Sequence, residues 1–268
     1  MLQVFRNHKG KAFGRCLKKT ARFFQALVFP HQCLKCRVLL DPGTAAPHTA
    51  QACFCESCLA MGLSLFAPPF CPRCGLQFAT GETHLCEACL KRLPRIHQVR
   101  AALSYQGLVQ DILPLFKYQA RLSLTRFFEP VMFDAFSQFF GKADIHRILP
   151  IPLHARKLRQ RGFNQSFLLV RRFPKTYDSI HGVRPLWQVD TTSLKRVRYT
   201  SPQTGLDVAV RRKNLKNAFQ VTDPAAVKNC NILLVDDVYT TGATCGEAAR
   251  MLFAAGASRV DVLALARA

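Results

Sequence analysis

Residues 231–244 read NILLVDDVYTTGAT, and the expectations for the whole chain start from this stretch. Its four apolar residues Ile232 to Val235 are typical of a strand that is buried on both faces of a parallel sheet. Two aspartates follow, then a loop of hydroxyl side chains around one glycine, then a helical pattern from Cys245 to Ala255. This order predicts an α/β fold with an anion site at the start of the helix, where free amides and the helix dipole favour negative charge.

The loop and the two acids indicate different parts of one ligand. Gly242 lets the backbone approach an anion closely, and the neighbouring threonines can donate their hydroxyls to phosphate oxygens. Asp236 and Asp237 would repel a phosphate, so they suit sugar hydroxyls, either directly or through a metal ion. Together the two halves indicate a ribose 5-phosphate. The competing interpretation is a buried strand capped by an acidic helix entry, which is common in α/β proteins.

Composition limits the class of protein. With 268 residues, 49% of them hydrophobic, the chain can hold one large domain or two smaller ones. No apolar run approaches the roughly 20 residues that a spanning helix needs. The net charge of +22 and the pI near 10.0 favour partners such as nucleic acid, anionic lipid or phosphorylated ligands, with solubility charge as the alternative.

Eight of the twelve cysteines form four C-x-x-C pairs. Two such pairs complete a four-cysteine zinc site, and sites of this closed kind are structural. Pairing in chain order leaves 18 residues between Cys36 and Cys55 and 11 between Cys74 and Cys86, which suits zinc ribbons. We therefore expect about two structural Zn2+ ions, held by Cys33, Cys36, Cys55, Cys58, Cys71, Cys74, Cys86 and Cys89.

Several alternatives stay open for the cysteines. A crossed pairing is compatible with the spacing, Cys53 could replace Cys55, and an iron–sulfur cluster is a minor possibility. A disulfide scaffold would need a signal peptide, and the basic N-terminus does not supply one. Thiolates held by metal in a reducing cytoplasm explain the pattern better.

Three domains are predicted: a basic N-terminal segment at 1–30, a double zinc-ribbon module at 31–95, and an α/β domain at 96–268. The first segment carries no acid and can form a basic amphipathic helix, which suits a membrane surface or nucleic acid. A solvated helix packing loosely on the next module explains it equally well. In the last domain we expect strands near 99–105 and 148–152 and an apolar helical stretch at 122–140.

Two basic segments of the last domain suggest functional loops. Residues 153–166 follow a strand, contain one glycine and carry no acid, so they predict a polyanion-binding loop; an exposed basic helix start is the alternative. Residues 194–215 are polar and basic, with one proline and one glycine. They favour a mobile loop that covers an active site; an ordinary surface crossover is the alternative.

The ordered set of motifs resembles the ComF competence family. After the C-x-x-C pairs come the P-I-P and R-G-F-N-Q segments, T-x-x-Q-x-G-L, R-x-x-N, V-D-D-V-Y-T-T-G-A-T and a final L-A-L-A-R. The resemblance covers the chain from about Cys33 to Ala268. It implies a type I phosphoribosyltransferase-like parallel sheet flanked by helices, preceded by a small double zinc-ribbon module.

The resemblance also implies ligands and residue roles. Phosphoribosyl pyrophosphate (PRPP) would bind with Mg2+; the catalytic acids Asp236 and Asp237 would hold the ribose 2- and 3-hydroxyls, and the loop would hold the 5-phosphate. The implied PRPP-binding residues are Val238, Tyr239, Thr240, Thr241, Gly242, Ala243, Thr244, Arg159 and Arg161. The basic residues expected to contact nucleic acid are Arg156, Lys157, Arg196 and Arg198.

Two functions are compatible with this pattern. In the first, the chain is a phosphoribosyltransferase in the cytoplasm that assists natural transformation, acting on single-stranded DNA with a helicase-like partner. In the second, it is a nucleic-acid-binding accessory that uses the PRPP pocket only as a ligand or 5-phosphate sensor. The charge favours DNA and interleaved aromatics favour base stacking, whereas the complete set of acids and threonines favours a working pocket.

Overall fold

A computed structural model describes residues 31–40, 49–91, 95–199 and 215–268. By its internal contacts the chain divides into two compact units, Met1–Ala60 and Met61–Ala268. The second cysteine cluster therefore belongs to the same unit as the α/β sheet, although the sequence groups it with the first cluster in a module at 31–95. The expected N-terminal helix at 1–30 lies outside the described residues.

The first unit is built around a tight knuckle at Cys33–Cys36. The Cys33 amide donates to Val38 O over 2.8 Å, and the Arg37 amide donates to Cys33 O over 2.9 Å. Arg37 has φ +66°, a left-handed conformation that the turn requires. Two short helices follow, α1 (Ala50–Cys53) and α2 (Glu56–Leu59).

The second unit contains one five-stranded parallel sheet and one small antiparallel pair. The strands are β1 (Val99–Ser104), β2 (Arg147–Pro150), β3 (Gln188–Val189), β4 (Leu194–Arg196), β5 (Phe219–Val221), β6 (Asn231–Tyr239) and β7 (Arg259–Arg267). The sheet has the order β1-β7-β6-β2-β3, and β4 pairs with β5 apart from it. Because β6 lies at the centre between β7 and β2, residues Ile232 to Val235 are fully buried, as their apolar run predicts.

Helices surround this sheet. Their bounds are α3 (Glu87–Lys91), α4 (Leu108–Tyr118), α5 (Thr125–Phe140), α6 (Ala155–Arg161), α7 (Gln165–Leu168), α8 (Phe173–His181), α9 (Pro224–Val227) and α10 (Ala243–Ala254), with a 3-10 turn at Leu122–Leu124. The Phe-rich stretch at 122–140 packs inward as expected, and Phe116 and Phe128 meet edge to face at 5.4 Å. Phe136 likewise meets Trp187 at 5.3 Å. The predicted fold class, a parallel sheet flanked by helices with two four-cysteine clusters in the N-terminal region, is confirmed.

The structure differs from the predicted loops in two places. The basic segment after β2 forms the short helix α6, which begins after the N-cap His154 and ends at Gly162 in the left-handed conformation, φ 81°. This is the exposed helix that the sequence left as the alternative to a loop. In the region at 194–215, Leu194–Arg196 forms β4, while 200–214 lies outside the described residues.

No helix within the described ranges combines the length and the apolar character that crossing a bilayer requires.

Candidate functional site

The two acids at the end of β6 are both buried, but they have different partners. Asp237 Oδ1 lies 2.9 Å from Nζ of Lys117, the penultimate residue of α4. Burial alone would lower the pKa of Lys117, yet the charge and hydrogen bond of Asp237, together with the charge of Asp236, outweigh burial and raise it. The other oxygen, Asp237 Oδ2, is buried and has no hydrogen-bond partner among the described residues. It is therefore an acceptor available to a ligand hydroxyl or a cation.

Asp236 has uncharged hydrogen-bond partners instead of a cation. Its Oδ1 accepts from Ser166 Oγ over 3.3 Å and from the Asp237 amide over 2.9 Å. Its Oδ2 lies 3.8 Å from the thiol of Cys245. Burial, and then the adjacent charge of Asp237, raise the pKa of Asp236 to about 7. The acidic pair therefore carries less than its full negative charge at neutral pH.

The residues after the acids surround an open cavity of about 250 Å³. It is lined by Asp236, Val238, Tyr239, Thr240, Thr241, Gly242, Ala243, Thr244 and Cys245. All seven predicted PRPP-binding residues from Val238 to Thr244 therefore line one space, together with one of the two acids. Gly242 has φ 73°, and α10 begins at the next residue, so the first amides of a twelve-residue helix open onto the same loop.

Gly242 is required by its neighbour as well as by its backbone conformation. A Cβ atom built there would lie 2.2 Å from the hydroxyl of Tyr239, whose side chain is buried. The glycine therefore packs directly over an aromatic ring. A substitution would displace this ring in addition to straining the left-handed backbone.

The R-G-F-N-Q-S segment orients Ser166 toward the acids. Asn164 caps α7 by accepting from the amides of Ser166 and Phe167 at 3.0 and 3.3 Å, and its amide group donates to Ile151 O over 3.1 Å. Arg161 donates to the buried Gln165 over 2.6 Å. The motif thus fixes the turn between α6 and α7 and places a hydroxyl on Asp236.

Basic side chains gather beside this turn. The pKa of Lys157 is lowered by burial and then by the charges of Arg196 and Arg161, which places three of the predicted cations near one another. Burial likewise lowers the pKa of Arg196, while the charge of Asp236 opposes that effect. The cluster therefore faces the acidic end of β6. Arg156 and Arg159 are exposed on α6, and Arg198 is exposed beyond β4.

Two exposed tyrosines carry cations over their rings. The Arg156 guanidinium lies 4.9 Å and the Lys157 ammonium 5.8 Å from the ring centre of Tyr199. The Arg161 guanidinium lies 5.3 Å from the ring of Tyr118, which is 73% exposed. Exposed rings that alternate with cations suit stacked bases and phosphates.

The cysteines form two four-thiol clusters in chain order. Cys33, Cys36, Cys55 and Cys58 form one, and Cys71, Cys74, Cys86 and Cys89 form the other; within each, the sulfurs lie within 4.8 Å of one another. Tetrahedral zinc with bonds of about 2.3 Å separates its sulfurs by just under 4 Å, so both clusters fit the ion. Cys55 belongs to the first cluster, so Cys53 does not replace it.

Comparison with known proteins identifies the family. No protein-family model matches the chain. The DNA utilization protein YhgH of Salmonella typhi is 31% identical over 247 residues, which cover 90% of this chain and 99% of that protein. Competence protein F of Haemophilus influenzae is 30% identical, with 90% and 98% covered. The chain belongs to the ComF family of competence proteins.

One further relative and two solved structures show weaker similarity. Competence protein ComFC of Bacillus subtilis is 28% identical over 75% of this chain and 78% of its own length. Among solved structures, HGPRT-ase of Leishmania tarentolae in complex with GMP has a TM-score of 0.26 at 17% identity, covering 56% of this chain and 67% of that one. The allosteric regulatory enzyme of purine biosynthesis has a TM-score of 0.30 at 16% identity, with 50% and 24% covered.

Sequence reasoning missed three members of the site. Lys117 comes from α4, far from β6 in the chain, and only the fold brings it to Asp237. Ser166 directly follows the R-G-F-N-Q motif, so that motif was the available signal for it. Cys245 was named only as the start of a helical pattern; it is buried in the core and also lines the cavity beside Asp236.

Proposed function

We propose that this ComF-family chain binds PRPP with Mg2+ at the end of β6 and assists the uptake or processing of single-stranded DNA. The observation that carries the proposal is the single cavity that joins a buried acid to the hydroxyls and helix-start amides of 240–244. Acids suit the ribose diol, and hydroxyls with convergent amides suit the 5-phosphate. An anion without a ribose would need the hydroxyls and amides but not the acids.

The acids offer a chemically suitable place for the cation. Asp237 Oδ2 is a buried carboxylate oxygen without a hydrogen bond in the described part of the chain, and carboxylate oxygens are ligands that Mg2+ prefers. When bound with PRPP, Mg2+ supplies charge neutralisation for a departing pyrophosphate. Lys117, Lys157, Arg161 and Arg196 add positive charge at the same end of the sheet, with Arg159 exposed on the same helix as Lys157 and Arg161.

Calorimetry with PRPP, ribose 5-phosphate and inorganic phosphate tests whether the acids bind the ribose and the hydroxyl loop binds the phosphate. Thr241→Val should lower the affinity for all three ligands about tenfold, since a hydrogen bond to a charged group is worth about 1.5–3 kcal/mol. Asp236→Asn should weaken the two ribose ligands and leave phosphate unchanged or tighter, because a repelling charge has gone. Thr176→Val, on α8, is the matched control and should change nothing.

Wild-type protein that ignores millimolar PRPP in the presence of Mg2+ would contradict the proposal. Pyrophosphate release with added acceptor separates the two functional hypotheses. If PRPP binds but no pyrophosphate is released with single-stranded DNA or nucleobases, the pocket serves as a ligand or 5-phosphate sensor in a non-catalytic accessory.

The DNA half of the proposal rests on the cation-bearing tyrosines and the net charge of +22. If several phosphates are neutralised, affinity for an oligonucleotide should fall by roughly three orders of magnitude between 50 and 200 mM salt. Arg156→Gln with Lys157→Gln should weaken binding and flatten the salt slope by about two. The pair Lys142→Gln with Lys175→Gln removes the same charge from other exposed positions, and an equal effect would show that charge alone, not this surface, binds DNA.

A helicase-like partner is part of the same proposal. It is supported only by the family's competence members, and co-purification of the full chain with single-stranded DNA present would test it.

A further inference from the structure

The second metal knuckle is held by three consecutive backbone carbonyls. They accept hydrogen bonds from elsewhere in the same unit: Pro72 O from Arg100 Nη1 at 3.0 Å, Arg73 O from the Val99 amide at 2.8 Å, and Cys74 O from Arg267 Nε at 3.2 Å. The knuckle turn itself requires Gly75, because a Cβ there would lie 2.8 Å from Val99 O. The second cluster is thus packed against the sheet rather than attached to it by a linker.

Arg267 makes the connection that reaches furthest. It lies at the end of β7, in register with Tyr239 at the end of β6. Its Nη1 donates to Tyr239 O over 3.2 Å, and its guanidinium lies 5.3 Å from the centre of the Tyr239 ring. The planar guanidinium of Arg267 therefore binds the carbonyl of Cys74, the second cysteine of the knuckle. It also binds the carbonyl of Tyr239, the residue before the loop at 240–244.

Tyr239 in turn packs against Gly242 of the loop at 240–244. Its ring is 7% exposed, and its hydroxyl occupies the space that a Cβ of Gly242 would need. Because the Tyr239 ring is buried and its hydroxyl lies directly beside Gly242, a shift of Tyr239 would change the packing under the Gly242 backbone. The chain of contacts then runs from Cys74 through Arg267 and Tyr239 to the start of α10.

We propose that Arg267 is a positioning residue that couples metal loading of the Cys71, Cys74, Cys86 and Cys89 cluster to the shape of the loop at 240–244. A metal ion fixes Cys74 against Cys86, whose sulfurs already lie 3.5 Å apart, and so fixes the carbonyl that Arg267 binds. The identification of the loop at 240–244 as a phosphate site rests on the proposed function. The coupling between metal and loop does not.

Hydrogen exchange of the full, zinc-loaded chain measures this coupling without any ligand. Arg267→Met should raise exchange of the 240–244 amides about tenfold, since two charge-assisted hydrogen bonds are lost. Arg267→Lys keeps the charge and one donor, and it should restore part of the protection. Amides of β2 should be unaffected, which separates loss of positioning from general unfolding.

Removing the metal by another route should give the same result. Cys89→Ser breaks the cluster while leaving Cys74 and Arg267 in place, so the loop should again exchange about tenfold faster. Cys58→Ser is the matched control, because it empties the first cluster, whose knuckle is not part of the Arg267 chain. Unchanged loop exchange in both Arg267→Met and Cys89→Ser, or an equal change in Cys58→Ser, refutes the coupling.

Coupling must also run in the opposite direction. PRPP with Mg2+ should slow the release of the second zinc to a chelating dye several-fold in wild type and not in Arg267→Met. If exchange shows the link but PRPP does not alter zinc release, the link stands and PRPP is not the loop's ligand. If PRPP binds by calorimetry but neither exchange nor zinc release responds, the proposed coupling fails while the proposed function survives.

Discussion

The buried ion pair between Lys117 and Asp237 should show strong energetic coupling. Its atoms lie 2.9 Å apart, and the side chains are 20% and 7% exposed. At an effective dielectric constant of about 20 the attraction is about 6 kcal/mol, most of which offsets the cost of desolvating two charges. The pair therefore contributes little net stability, but a single partner left alone is a buried uncompensated charge.

A double-mutant cycle tests this directly. Lys117→Met and Asp237→Asn should each lower the free energy of unfolding by about 2–3 kcal/mol, and the double variant by about 1 kcal/mol or less. The interaction free energy should then be at least about 3 kcal/mol. Lys117→Met should also cost less at pH 5 than at pH 8, because the Lys117 charge opposes the rise in the pKa of Asp236, and without it Asp236 takes up a proton more readily.

Urea unfolding of the zinc-loaded chain, followed by the fluorescence of Trp187, is the suitable assay. Trp187 is the single tryptophan in the sequence and packs against Phe136 and Tyr177 in the second unit, so its signal reports the unfolding of that unit. Costs that add within about 0.5 kcal/mol would refute the view that the two charges depend on each other.

Three further outcomes are expected. Asp236→Asn should raise the melting temperature more at pH 8 than at pH 5: the folded pKa of about 7 exceeds the ordinary 3.8, so the wild type loses stability as pH rises between those values. At about 1.4 kcal/mol per unit the gain at pH 8 should be at least about 1 kcal/mol, and an equal gain at both pH values would contradict the assigned cause. Gly242→Ala should cost about 1–3 kcal/mol and abolish PRPP binding through displacement of Tyr239, as thermal melting and calorimetry would show. Cys33→Ser should reduce the zinc content from about two ions per chain to about one by elemental analysis, with Cys71→Ser as the reciprocal variant.

The sequence predicted well wherever chemistry is carried by residues that are close in the chain. The run from Ile232 to Thr244 contains the buried strand, the acid, the hydroxyls and the helix start, and the structure brings these together around one cavity. C-x-x-C spacing likewise predicted both four-cysteine clusters, because each knuckle is a local turn. Residues 153–166 were harder, since a basic run with one glycine is compatible with a loop or with the short helix that forms.

Local pattern determined the parallel sheet, the strand–loop–helix at 231–254 and the presence of two four-cysteine clusters, because their signals are hydrophobic period, glycine position and ligand spacing, whereas the structure decided that the cysteines pair in chain order. Tertiary structure alone decided which charges and carbonyls meet. Lys117 reaches Asp237 of β6 from helix α4, and Arg267 joins Cys74 to Tyr239 across residues far apart in the chain. Such contacts depend on the order of strands β1, β7 and β6 in the sheet, and the hydrophobic period of a single segment carries no information about that order.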